Sequence, residues 1–357
     1  MKLRIACLQL NPKLGEFEEN ANLAYSLLQE TFKEKQVKKP NILILPELAL
    51  TGYNFQSQQR IEPFLEETTK GASTQWAQKV SKTWDCFTLI GYPEKSLESP
   101  PRIYNSAVLV SPQGKVMNNY RKSFLYEADE HWGCSESSDG FQTVDLLIEG
   151  KTVKTSFGIC MDLNPYKFEA PFTDFEFSGH CLKTGTRLIL CPMAWLSPLS
   201  PSIKKDLSDI EKSRLQKFYL EKIDTPEFDV NYELKKDEVL PTRMNETLET
   251  IDFEPSKPDY SNINYWILRF FPFLTHVYKR DVLKENAVAV LCNRVGIESD
   301  VLYGGSTTIL NFNGKLPSTQ EELELYGQTN SLNPSVEVLG ALGMGQQGIL
   351  VRDIELT

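Results

Sequence analysis

Histidine is scarce in this chain, with three in 357 residues, and no apolar run approaches the roughly 20 residues that a membrane-spanning helix needs. A membrane protein is not expected. Residues 3–10 are apolar but include Arg4 and Gln9, which do not suit the core of a signal peptide. Basic side chains are also in deficit: 38 Lys plus Arg stand against 48 Asp plus Glu, a formal net charge of -10. Such a surface repels phosphate backbones and anionic lipid, so neither nucleic acid nor membrane is expected as a partner. Seven cysteines at irregular separations are an odd, scattered set, unlike a disulfide framework. These features predict a soluble, cytoplasmic protein.

What is present suits a folded α/β chain. The composition is 41% apolar and 24% charged, far from disordered or coiled-coil classes. Residues 3–10 and 42–45 read as strands, and Leu23, Leu27 and Leu28 between them fall at helical spacing, which makes a βαβ unit. Ser73 is placed to cap a helix running to about Trp84, with a strand over 86–91 after it. Residues 106–110 with 115–117, and 144–148 with 153–159, read as antiparallel hairpins across Ser111-Pro-Gln-Gly114 and Glu149-Gly150-Lys151. Asn164-Pro165 predicts a helix start just after Cys160. Further strands are expected at 187–191, 287–292 and 307–310, and a Pro272-interrupted helix over 263–282. We read residues 1–357 as one domain, α/β in class, broken by a charged insertion at about 203–260 that carries 10 Lys plus Arg and 15 Asp plus Glu. A helix over about 206–222 is expected inside it. The rest is open to two uses, a solvated surface loop or a substrate rim.

Three polar residues end buried apolar runs, where α/β proteins build their sites. They are Glu47 in Ile42-Leu-Ile-Leu-Pro-Glu-Leu, Lys122 in Tyr120-Arg-Lys-Ser-Phe, and Cys160 in Phe157-Gly-Ile-Cys-Met-Asp. Each alone has an ordinary explanation as a loop acid, a surface lysine or a core thiol. Together they make a chemical set. A thiolate attacks a carbonyl, a nearby carboxylate takes the thiol proton, and a lysine steadies the oxyanion. A helix beginning at Asn164 would lower the thiol pKa through its dipole. His131, Cys134, His180 and Cys181 lack zinc-ligand spacing, so no metal and no cofactor is expected.

The blocks Leu45-Pro-Glu47-Leu with Thr51-Gly-Tyr53, Tyr120-Arg-Lys122 and Gly158-Ile-Cys160-Met-Asp162, 75 and 38 residues apart in order, resemble the three signatures of the nitrilase superfamily of carbon-nitrogen hydrolases. Asn105-Ser-Ala, Asn293-Arg-Val-Gly296-Ile-Glu298 and Tyr303-Gly-Gly-Ser-Thr307 agree with it. The resemblance implies a four-layer αββα sandwich. It also implies Glu47 as general base, Lys122 and the Met161 peptide N–H as oxyanion donors, Cys160 as nucleophile, and a second glutamate after the lysine, for which Glu130 is the choice over Glu127.

Tyr126-Glu-Ala-Asp-Glu-His-Trp-Gly-Cys134, Met161-Asp-Leu-Asn-Pro-Tyr-Lys167, Cys191-Pro-Met-Ala-Trp195 and Tyr265-Trp-Ile-Leu-Arg-Phe270 are most similar to the fungal branch acting on amino-terminal Asn and Gln. That branch turns these residues into Asp and Glu with release of ammonia, feeding downstream N-degron enzymes. Peptides or proteins with a free N-terminal Asn or Gln are then the expected partners. A free α-ammonium beside the amide calls for an anionic group in the pocket. Asp162 is the first candidate, with Glu127 and Asp129 behind it, and Tyr53, Trp132 and Trp195 are expected to wall the cleft. A small-molecule ω-amidase or carbamoylase with the same residues, and a catalytically silent binding scaffold, are the alternatives.

Overall fold

Alternate residues of the first strand, β1 (Lys2–Gln9), face two different cores. The computed structural model describes residues 1–224, 227–232, 252–274, 285–316 and 319–357, without the side chains of 321–323. Leu3, Ile5 and Cys7 belong to the core between two sheets, whereas Ala6 and Leu8 belong to a second core beneath helices. Successive strand side chains point to opposite faces, so a strand covered on both sides reads as a continuous apolar run.

β2 (Ile42–Ile44) runs parallel to β1, and β4 (Phe87–Lys95) runs parallel to β2. Their crossovers carry α1 (Phe17–Gln29), the short α2 (Gln58–Ile61) and α3 (Ala72–Trp84). On α1 the buried positions are Asn20, Ala21, Ala24, Leu27 and Leu28, a helical stripe that leaves the expected Leu23 exposed. Gly71, not the expected Ser73, is the N-cap of α3, and Ser73 inside the first turn donates to Glu66 with both its N–H and its hydroxyl, at 2.8 and 2.5 Å.

β5 (Ile103–Val110) and β6 (Val116–Arg121) form the first expected hairpin. β3 (Glu66–Glu67), β10 (Asp229–Asn231) and β16 (Gly348–Glu355) complete an eight-stranded sheet, ordered β10-β16-β1-β2-β4-β5-β6 with β3 on β4. The second sheet is ordered β15-β14-β11-β9-β8-β7. It comprises β7 (Gln142–Ile148), β8 (Lys151–Phe157), β9 (Leu188–Pro192), β11 (Ala287–Cys292), β14 (Thr308–Phe312) and β15 (Val336–Ala341). β12 (Ile297–Glu298) and β13 (Val301–Leu302) make a separate small pair.

The five-residue α4 (Glu127–His131) follows β6. α5 (Glu176–Lys183) and α7 (Tyr260–Arg269) bury Phe177, Cys181, Ile263, Trp266 and Ile267 in the core shared with the second sheet. The layers are therefore α, β, β, α, the sandwich that the resemblance implies. Asp259 caps α7 by accepting from the Ser261 N–H at 2.9 Å. The helix ends at Phe270, with Pro272 in a following 3₁₀ turn; residues 275–282 of the expected stretch lie outside the described residues.

The charged insertion is more than a solvated loop where it is described. Its helix α6 (Asp209–Ile223) buries Tyr219 and Ile223, four residues apart, in a satellite core with Phe253, Leu302 and Met344. β10 adds an edge strand parallel to β16. Residues 225–226 and 233–251 lie outside the described residues.

Ile44 is fully buried between the sheets and Leu97 is 66% exposed. Ile44→Ala is expected to cost about 2–5 kcal/mol in urea unfolding, and Leu97→Ala less than about 0.5 kcal/mol.

Candidate active site

Three chain segments leave the sheets on one side and converge. Glu47 follows β2 by three residues, and its backbone turns sharply, with Leu48 at φ 45°. Only glycine fits at position 91 on β4, because a Cβ there would lie 2.7 Å from the Glu47 Cα and the Leu48 N. Lys122 directly follows β6, and its N–H donates to the Asn105 carbonyl at 2.8 Å. Cys160 follows β8 after Gly158 and Ile159, in the left-handed region at φ 43°. A cysteine held there stores about 1–3 kcal/mol of backbone strain, which the surrounding structure must offset.

Asp162 provides much of that restraint. Its carboxylate accepts from the Ile159 N–H (2.8 Å), the Ser123 N–H (3.0 Å), the Phe124 N–H (2.8 Å) and the Tyr120 hydroxyl (2.7 Å). It ties the cysteine turn to the segment after Lys122.

The ammonium of Lys122, wholly buried, donates to Glu47 Oε1 at 2.7 Å and to Asp129 Oδ2 at 2.6 Å. Asn105 Nδ2 bridges the same carboxylates, at 2.7 Å to Glu47 and 2.9 Å to Asp129. The Tyr53 hydroxyl donates to Asp129 at 3.0 Å. The Ala194 N–H donates to Glu47 Oε2 at 2.7 Å. The Cys160 thiol lies within the electrostatic reach of both Glu47 and Lys122.

Burial pushes the Glu47 carboxyl up from the ordinary glutamate range; Lys122 pulls it back and Asp129 adds to the rise. Burial alone would lower the Lys122 ammonium, but Asp129 and Glu47 overcome it and hold it well above the usual lysine range. Burial and the Glu47 charge raise the Cys160 thiol, against Lys122. At rest the sulfur is protonated, beside a carboxylate able to take its proton.

A cleft of about 420 Å³ adjoins this group, with Tyr53, Tyr126, Glu127, Ile203, Lys205 and Asp300 in its lining. Tyr53 links the cleft to the buried group, since its hydroxyl donates to the Asp129 carboxylate that also accepts from Lys122. A larger cavity, about 650 Å³, is lined by Lys2, Lys38 and Asp353 among others and includes none of these site residues.

Residues 4–164 match the model of the carbon-nitrogen hydrolase family. The chain is 34% identical to the protein N-terminal amidase of Saccharomyces cerevisiae, over 99% of its own length and 95% of that protein's. The chain belongs to the carbon-nitrogen hydrolase family. Among solved structures, this hydrolase is similar to an N-terminal amidase with a Gln-Val peptide and to one with an Asn-Glu peptide. Each is 32% identical, covering 99% of this chain and 97% of that one, with TM-scores of 0.83 and 0.82.

In this carbon-nitrogen hydrolase, Glu47, Lys122 and Cys160 come together, but Glu130 does not join them. Its side chain is exposed on α4, and Asp129 takes the place beside the lysine. Asp129 is the third residue of α4 and accepts from the Tyr126 N–H at 2.8 Å. One residue further turns the side chain about 100° round the helix and out to solvent. The ammonium-binding role expected of Asp162 also fails, because its oxygens are fully buried and engaged by four donors. Burial pushes its carboxyl up to about 6.

The helix expected at Asn164-Pro165 is a 3₁₀ turn, Tyr166–Phe168, with Pro165 at ψ 142°. No α-helix dipole therefore begins behind the sulfur, and the expected lowering of the thiol pKa is replaced by the rise that burial imposes. Met161 follows Cys160 in a 3₁₀ turn, Cys160–Leu163, and is buried. Tyr53 lines the cleft as expected. Trp132 does not, being fully buried in a core with Leu48 and Ile61. Trp195 is half-buried against Tyr265 and Trp266, with ring centroids at 5.7 and 5.9 Å, and only its neighbour Leu196 joins the lining. Glu127 stands exposed at the cleft.

Asn105 and Glu298 were visible only as flanking motif residues. Glu298 pairs with Arg294 at 2.6 Å and accepts from the Asn54 N–H at 2.7 Å and the Tyr303 hydroxyl at 2.6 Å, fixing the Tyr53 loop. Among the described residues no group of three or more side chains is arranged to hold a metal ion.

Asp129→Asn should lower kcat/KM roughly 10- to 100-fold, the loss of one charged hydrogen bond on Lys122, while Glu130→Gln should leave it unchanged. Because Asp129 raises the Glu47 pKa, the acid limb of the pH–rate profile should move to lower pH in Asp129→Asn. A limb that stays in place would show that the two carboxyls do not communicate.

Proposed function

We propose that this chain is a protein N-terminal amidase that converts amino-terminal Asn and Gln to Asp and Glu with release of ammonia. The observation that carries this reading is the buried Glu47–Lys122 pair with Cys160 in its electrostatic reach, joined through Asp129 and the Tyr53 hydroxyl to the wall of an open cleft. Glu47 takes the Cys160 proton, and the sulfur attacks the side-chain amide carbon. Lys122 and the Met161 N–H steady the oxyanion. The carbon–nitrogen bond breaks as Glu47 passes its proton to the departing nitrogen, leaving a thioester and ammonia. Glu47 then takes a proton from water, the hydroxide attacks the thioester, and the carbon–sulfur bond breaks with the proton returned to sulfur. Asp129 holds Lys122 between two carboxylates throughout and acts as a positioning residue. No cofactor enters the cycle.

Glu127, at the cleft and with His131 at 3.9 Å as its nearest cation among the described residues, pairs the substrate's α-ammonium. The peptide continues outward through the open mouth, which a site for small free amides would not need. The new acidic termini pass to downstream N-degron enzymes. No described helix is long and apolar enough to cross a membrane, and all seven cysteines are free thiols; we place the reaction in the reducing cytoplasm.

Mass spectrometry of Asn- and Gln-initiated peptides tests the activity. Wild type should add about one dalton by exchanging amide for acid, and Cys160→Ala should add nothing, a deficit of at least 10⁴-fold. Blocking the peptide's amino group by acetylation, or Glu127→Gln, should raise KM roughly tenfold or more. Equal turnover of free and acetylated peptides would refute the recognition of the ammonium.

A further inference from the structure

We infer that the start of the charged insertion forms the subsite for the substrate's second residue, with Lys205 reading the charge of that side chain. The inference rests on the N-terminal amidase reading and adds to it a preference at the following position.

Ser202, Ile203 and Lys205 line the cleft immediately before α6. They are held in place by the turn between β12 and β13. The Asp300 carbonyl accepts from the Ser202 N–H at 2.9 Å and from the Ser200 hydroxyl at 3.2 Å, and its carboxylate accepts from Lys212 of α6 at 2.9 Å. Tyr219 anchors the same helix, donating to the Leu199 carbonyl at 3.3 Å and stacking edge-on against Phe253 at 4.9 Å. The rim is thus a built wall of the cleft.

The charges in that wall are unevenly satisfied. Asp300 is paired with Lys212, and Glu127 has His131 at 3.9 Å, whereas Lys205 is exposed and makes no ion pair among the described residues. In an Asn- or Gln-initiated chain the first side chain must reach Cys160, so the second residue, about 3.3–3.6 Å further along the backbone, is the next to meet the rim. An acidic side chain there gains the unpaired ammonium. A basic one is repelled by it, and an uncharged one finds Ile203, which is 48% exposed.

The test is kcat/KM for Asn-Glu, Asn-Val and Asn-Lys peptides with wild type, Lys205→Ala and Lys205→Glu, each normalised to Asn-Val in the same protein. Wild type should favour Asn-Glu over Asn-Lys. Lys205→Ala should level the two, and Lys205→Glu should invert the ranking, by about threefold to tenfold through KM, the range of an exposed ion pair. The contrast should shrink in about 0.5 M salt. An unchanged ranking in both variants, with Asn-Val still deamidated, overturns the subsite and leaves the amidase reading intact. Failure of wild type on all three peptides overturns both.

Discussion

One ammonium without access to water organises this protein's chemistry. Lys122 is surrounded by Glu47, Asp129 and the ring of Tyr53, 5.7 Å from its nitrogen. Burying a lone lysine charge costs several kcal/mol, which the two carboxylates and their further donors offset. The same arrangement sets the protonation of the site. Burial and Asp129 keep the Glu47 carboxyl high, Lys122 keeps it from rising further, and burial with the Glu47 charge raises the Cys160 thiol. Acid, amine and sulfur are therefore a single electrostatic unit, in which changing one partner changes the others.

That unit demands backbone that ordinary strands and helices do not provide. Leu48 beside the base and Cys160 itself both have positive φ. Each turn is held from outside its own segment: β4 approaches the base through Gly91, and Asp162 ties the cysteine turn to the stretch after Lys122. Glu298, from a third part of the chain, holds the Tyr53 loop that in turn steadies Asp129. Strain at the reacting atoms persists because well-packed surroundings over-determine it.

The charged segment after β9 packs separately from the group around Lys122. The catalytic group lies where strands end, on the rigid sandwich. One wall of the cleft is a short rim, Ser202, Ile203 and Lys205, fastened to the β12–β13 turn and backed by a satellite core. The rim and the buried lysine with its carboxylates are thus held by different contacts.

The strands were legible because those covered on both faces are continuous apolar runs, and Glu47, Lys122 and Cys160 because each ends such a run at a distinctive motif. The insertion's packing was not, since Tyr219 and Ile223 are too few apolar positions to mark a buried face in a charged helix. Nor was the partner of Lys122. Glu130 and Asp129 are adjacent acids in one short segment, and only the turn of α4 decides which faces inward. Asp162, beside the nucleophile in sequence, proved to be a fastening for the turn because its four donors arrive from Ile159 and from residues about 40 positions earlier. The sequence by itself determined the strands and singled out Glu47, Lys122 and Cys160, and its resemblance to a family implied the sandwich, because periodicity and motif are local properties. Only the tertiary structure decided which neighbouring carboxylates join the buried charge and which serve the backbone, because that depends on direction and burial, which are set by contacts between distant parts of the chain.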